Sequence, residues 1–225
     1  MDDRHALLCA RIRDYCEARR WYGPDGGLEK DRAFRDGEGV LHVQAITHDA
    51  RAGFEFPPAT AEQLAVTEAR LGYALPSLLR ALYTNVANGG FGPSEGITGA
   101  HGGYWYGGDD HFTTNDQPWS PSWPCRRLDL AAYVKQQGSS RQLTLPRETW
   151  PAQFLHLCYW GCGMDSYVDA STDRVYLVED ITDFTVRLLL DAETFEGWLE
   201  RWLAGRQPGW FNSEVAADDD DPWTG

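Results

Sequence analysis

The feature that most restricts what this chain can fold into is a series of chain breakers between Phe56 and Gly90. Pro57 and Pro58 cannot donate backbone hydrogen bonds within a helix, so a helix has to begin beyond them. Thr60 stands there as an N-cap, with Gln63 three residues on at the spacing of a capping box. Leu64 and Leu71 lie seven apart with Ala65 beside them, a narrow apolar stripe, and Gly72 supplies the left-handed residue that ends it. Leu75-Pro76 restarts the chain, and Leu78, Leu79, Leu82, Tyr83 and Val86 repeat at helical spacing. Asn88-Gly89-Gly90 ends this second helix with three residues that tolerate positive φ. The stretch reads as a helical hairpin packed on a sheet, with nothing chemically reactive in it.

Two later stretches fix the rest of the core. Phe154, Leu155, Leu157 and Tyr159 suit a buried strand, and Tyr167 and Val168 suit its successor. Gly161 and Gly163 form the hairpin turn between them. Arg174 to Glu179 reads as a third strand and Thr185 to Leu190 as a fourth. The clearest helix follows, with Asp191 as its expected N-cap, Glu193 in its first turn and Gly205 after its last. Phe195, Trp198, Leu199, Trp202 and Leu203 fall at i, i+3, i+4, i+7 and i+8. Each such side chain contributes about 1.5–3 kcal/mol when fully buried.

Together these segments resemble the SUKH superfamily, which includes the yeast Smi/Knr-type cell-wall regulator and many bacterial proteins. The signature elements are Leu71 before Gly72, Pro76 after Leu75, then Asn88-Gly89-Gly90. Next come the Trp160-Gly161-Cys162 turn, a strand ending in Asp169, and the closing helix with Trp198 and Trp202. The resemblance covers about residues 54–212. It implies an α+β, SUKH-like fold: a mainly antiparallel sheet of about four to six strands with helices packed around it.

Outside that span the chain reads less clearly. Asp2 to Trp21 looks like a helix, with Leu8, Ile12 and Tyr15 on one face and Arg19-Arg20 suited to its C-terminal end. Cys9 and Cys16 on it read as buried structural thiols, because a metal pair needs further ligands nearby. Gly23-Pro24-Asp25-Gly26-Gly27 breaks the chain, and Val40 to Ile46 is a possible strand. Residues 1–53 are thus expected to be an N-terminal extension, 54–212 the SUKH-like domain and 213–225 a disordered acidic tail. Phe91 to Trp123 is rich in glycine and aromatics but lacks the Gly-Lys-Ser/Thr of a phosphate loop; it suits a short strand between turns or a partner contact. Leu128 to Gln137 is a short helix with Asp129 near its start.

Charge bears most on function. The chain of 225 residues has a net charge of −14. Residues 1–150 hold 19 acidic and 16 basic side chains, a balance of −3, and residues 151–225 hold 15 and 4, a balance of −11. Such a surface repels nucleic acid and attracts a basic partner; it also suits plain solubility. No stretch approaches the length of a membrane span, and the first residues lack a signal-peptide layout. The expectation is a cytoplasmic protein with five reduced cysteines, no cofactor and no contact with membranes or nucleic acid. His156, Cys158 and Cys162 have a tempting spacing, but a second ligand pair is missing, so no metal site and no catalytic residue is assigned.

Two functions compete. The resemblance implies a non-catalytic protein-binding domain, an immunity protein that neutralises a bacterial toxin, and the acidic charge fits a basic, nuclease-like one. Asp109, Asp110 and Asp116, with Glu179, Asp180 and Asp183, are its candidate contacts. The alternative is a regulatory scaffold that holds a cellular protein through the aromatic loop 91–125. Neither reading fixes an oligomeric state.

Overall fold

The computed structural model describes residues 2–19, 30–35, 41–46, 54, 56–94, 96–105, 113–114, 126–137, 141–161, 163–182 and 185–205. Helix α1 (Asp3–Arg19) opens the chain, and β1 (Lys30–Arg35) pairs with β2 (Leu41–Ile46). Helices α2 (Ala61–Leu71) and α3 (Ser77–Asn85) precede the short pair β3 (Tyr104–Trp105) and β4 (Thr113–Thr114). A further unit comprises β5 (Arg126–Leu128), α4 (Leu130–Gln137), β6 (Gln142–Pro146) and β7 (Thr149–Pro151), with β5 and β7 parallel. The chain continues through β8 (Phe154–Gly161), β9 (Met164–Asp169), β10 (Val175–Thr182), β11 (Thr185–Ala192) and α5 (Phe195–Leu203). The central sheet is antiparallel in the order β6-β11-β10-β9-β8. The fold is α+β, as expected from the sequence. The acidic tail, residues 213–225, lies outside the described residues.

The helical hairpin forms for the reasons its breakers give. Thr60 Oγ1 accepts from Gln63 N at 3.2 Å, and Gln63 Oε1 accepts from Thr60 N at 2.9 Å. Gly72 ends α2 at φ +79°. Glu68 then locks α2 to α3, since its Oε1 accepts from Arg80 Nη1 at 2.6 Å and Leu75 N at 3.0 Å. Burial opposes the charge on Glu68, but those two bonds and the Arg80 charge together hold its carboxyl below the ordinary value.

Successive strand residues face opposite sides, and both sides are filled. Leu155, Leu157, Cys158, Val168 and Val175 join α1, α2, α3 and α5 in one apolar cluster. Phe154, Tyr176, Val178, Val186 and Leu188 join Leu130, Leu143, Leu145 and Trp150 in the other. A register shift between His156 and Cys158 puts Leu157 and Cys158 together in the first cluster. β6 has no counterpart in the sequence reading, although Leu143 and Leu145 alternate with exposed Gln142 and Thr144.

Helix α1 belongs to the first cluster through Leu8, Cys9, Ile12 and Cys16. The Tyr15 ring lies 4.9 Å from that of Trp202. Arg4 Nε meets Glu196 at 2.6 Å, and Arg11 Nη2 donates to Glu200 at 2.7 Å. Burial pushes the Cys16 thiol up to about 12, so it is a packed, protonated side chain.

Two local expectations are corrected. Of Asn88-Gly89-Gly90 only the glycines have positive φ; Asn88 is held by its own hydrogen bonds instead. The N-cap of α5 is Thr194, whose Oγ1 accepts from Gly197 N at 3.0 Å, and not Asp191. Strand β11 runs through Asp191, whose carboxylate takes Trp198 Nε1 at 2.8 Å and Arg201 Nη2 at 2.7 Å. Burial raises the Asp191 carboxyl despite Arg201 and Trp198.

Candidate partner-binding site

The segment after α3 folds onto the edge of the sheet, and Asn88 organises it. Asn88 is 2% exposed. Its N donates to Pro57 O at 3.0 Å and its O accepts from Tyr104 N at 2.9 Å. Its Oδ1 accepts from Ala100 N at 2.6 Å. Residues 88 and 99–104 approach so closely that a Cβ on Gly99 would stand 2.2 Å from Asn88 O. A Cβ on Gly89, which has φ +83°, would stand 2.5 Å from Gly99 N. The loop then covers the edge of β8. Thr98 N donates to Leu157 O at 2.6 Å and Ser94 Oγ to Tyr159 O at 2.7 Å. Tyr83 OH, from α3, donates to Thr98 O at 2.6 Å.

Beneath this loop lies an arrangement that resembles a catalytic relay. His156 Nδ1 is 2.6 Å from Thr98 Oγ1, and His156 Nε2 is 2.8 Å from Asp165 Oδ1. Trp105 and Tyr167 pack around the imidazole, with centroids at 5.4 and 5.2 Å. The hydroxyl is unsuited to act as a nucleophile, because Thr98 is 1% exposed and no reacting group can reach it. What the line achieves is structural, tying the loop to β8 and β9. Cys158 is buried in the core, and Cys162 lies outside the described residues. Among the described residues no three of His, Cys, Asp and Glu come together as a metal site.

The other signature residues also hold the scaffold together. Trp160 is half-buried, and its Nε1 donates to Ser166 Oγ at 2.8 Å across the β8–β9 hairpin. Gly161 pairs with Met164 as the turn closes, with Gly163 at φ +76°. Trp198 and Trp202 are buried and Leu71 is half-buried in the same cluster, while Pro76 occupies the N-cap position of α3. Asp169, which ends β9, is 2% exposed and accepts from Ser171 N, Ser171 Oγ and Thr172 Oγ1 at 2.7–2.9 Å. It closes the β9–β10 turn, and Asp173 O in that turn accepts from Phe195 N at 2.7 Å, placing the start of α5.

The candidate acidic contacts divide. Met164 pairs with Glu179 and Thr182 with Thr185, so the β8–β9 and β10–β11 turns lie at the same end of the sheet. Asp165 and Glu179 both stand there, as does the backbone of Asp180. Glu179 Oε2 accepts from Arg187 Nε at 2.8 Å, from the residue directly opposite it on β11. The side chain of Asp180, and Asp109, Asp110, Asp116 and Asp183 as a whole, lie outside the described residues. His156 and Asp165 could be imagined together from the sequence, but Thr98, 58 positions from His156, was missed, because only the folding of the loop onto β8 brings it there.

An α+β scaffold with a glycine-clamped edge loop is the class of protein this geometry defines. The family model described as the SMI1 / KNR4 family (SUKH-1) matches residues 58–201, and the chain belongs to that family. Searches of curated proteins and of solved structures return no match. No helix among the described residues is long and apolar enough to cross a membrane.

Proposed function

We propose that this chain is a non-catalytic protein-binding domain, an immunity protein that neutralises a basic, nuclease-like bacterial toxin through acidic surface. The observation that carries the reading is that Asp165, Glu179 and the Asp180 position all stand at one end of the sheet, with Asp165 and Glu179 on its two faces. That end belongs to the part of the chain with a balance of −11. Membership of the SMI1 / KNR4 family supports an interaction role. Opposite charge steers association and makes it strongly salt-dependent.

The test uses a basic nuclease toxin domain, sought in the reading frames next to the gene for this protein. Reversing Glu179, Asp180 and Asp183 to Lys in one variant, and Asp109, Asp110 and Asp116 in another, is expected to slow association by tenfold or more at low salt. Binding indifferent to both reversals would remove the acidic-surface reading. A regulatory scaffold is the second reading, favoured by half-exposed Trp105 within the aromatic loop 91–125. Capture of a defined cellular enzyme, with no affinity for the toxin, would turn the assignment that way.

A further inference from the structure

One stretch of this acidic chain that is itself basic lies in the middle of the sequence. Residues 126–148 carry Arg126, Arg127, Lys135, Arg141 and Arg147 against Asp129 and Glu148, a balance of +3. The other residues of a chain of net charge −14 therefore sum to −17. The fold gathers this segment on one side. β5, α4, β6 and β7 pack Leu130, Leu143, Leu145 and Trp150 into the second cluster, opposite α1, α2, α3 and α5. Arg126 N bonds Glu148 O at 2.6 Å, which sets Arg126 beside the β6–β7 turn with Arg147. Tyr133 OH, two residues before Lys135, reaches Thr144 O at 3.4 Å, so α4 lies along β6. Arg126, Lys135 and Arg141 are exposed and Arg147 is half-exposed. Asp129 already caps α4, accepting from Ala132 N at 3.0 Å.

We propose that this α4–β6–β7 face is a docking surface for the chain's own acidic C-terminal segment, residues 214–221. That segment holds Glu214 and Asp218-Asp219-Asp220-Asp221 with no basic residue. It is also within reach. Arg201, in the last turn of α5, is 2.7 Å from Asp191, and the neighbouring Leu190 N donates to Arg141 O at 2.8 Å. The end of α5 thus stands close to the Arg141 end of the basic face. The nine Cα–Cα steps from Gly205 to Glu214 span up to about 30 Å when extended. Docked there, the segment neutralises this basic face and withholds it from nucleic acid and other polyanions.

The lysines make a direct test, because the chain has only Lys30 and Lys135. A carbodiimide that joins carboxylates to amines, applied to the full chain, is expected to link residues 214–221 to Lys135 within a monomer. The link should vanish in Lys135→Arg, which keeps the charge, and fall several-fold in about 0.5 M NaCl. In Asp218→Asn/Asp219→Asn/Asp220→Asn/Asp221→Asn, acylation of Lys135 by an activated ester should accelerate several-fold. Links to Lys30 or the N-terminal amine alone, links found only in covalent dimers, or unchanged Lys135 acylation would each overturn the proposal.

Discussion

The loop from Asn88 to Tyr104 and the strand end around Glu179 are both built against the same sheet, yet they obey opposite rules. In the loop nearly every polar group is buried and matched to a fixed partner: Asn88 to Pro57, Ala100 and Tyr104, Thr98 to Leu157, Tyr83 and His156. At the strand end Glu179 and Arg187 are side chains paired near the surface, about 20% exposed each. A buried polar group that loses its partner costs about 1–3 kcal/mol, whereas the part-buried Glu179–Arg187 pair keeps water within reach of both groups and loses less when broken. The loop therefore cannot vary without losing the fold, and the strand end can. This is why the residues that mark the family hold the scaffold together, while recognition has room to change elsewhere.

The comparison can be broken by substitution. Gly99→Ala is the most severe expected change, because its Cβ would overlap Asn88 O and Tyr104 N, both backbone atoms that cannot rotate away. A loss of about 3 kcal/mol or more is expected, read as missing soluble protein or a much lower denaturation midpoint. Trp198→Ala follows at about 3–5 kcal/mol, since it empties the core and also leaves Asp191 without the indole donor. Asn88→Ala is expected to cost about 1–3 kcal/mol by urea titration. Glu179→Gln should move stability by less than about 1 kcal/mol. If Glu179→Gln proved as damaging as Asn88→Ala, the contrast between the two regions would be wrong.

Acid titration sharpens the same comparison. The Glu68 carboxyl is held below its ordinary 4.5, so its stabilising effect is present above that value and is lost as pH falls through the depressed one. Arg80→Met should flatten that acid-side loss in a plot of unfolding free energy against pH. Asp191 has the opposite sign. Its carboxyl is raised above 3.8, so the folded state favours the protonated form and loses stability as pH rises through that window. Asp191→Asn should abolish this contribution while keeping an acceptor for Trp198.

Much of the scaffold is legible in the sequence because its signals are local. Thr60 and Gln63 cap α2 within four residues, and Gly72 and Gly163 mark turns that only glycine adopts easily. Legibility fails where the answer depends on a distant partner. Asp191 and Thr194 are both good N-caps by type; Thr194 takes the role because β11 extends through Asp191 and Trp198 and Arg201 occupy its carboxylate. Asn88 looks like a left-handed cap, yet its bonds to Pro57, Ala100 and Tyr104 decide its conformation. For the candidate site, the Glu179–Arg187 pair depends on strand register, which charge counts do not carry.

The place of α1 has a practical consequence. The segment that identifies the family starts at residue 58 and stops at 201, but the folded unit does not. Leu8, Cys9, Ile12 and Cys16 lie before it and Trp202 just after, all in the same interior. A protein trimmed to the matched segment would lay bare the apolar side of α3 that α1 packs against, as a greasy trough. Its expected fate is precipitation, and a laboratory seeking a minimal soluble version would do better to keep both flanks.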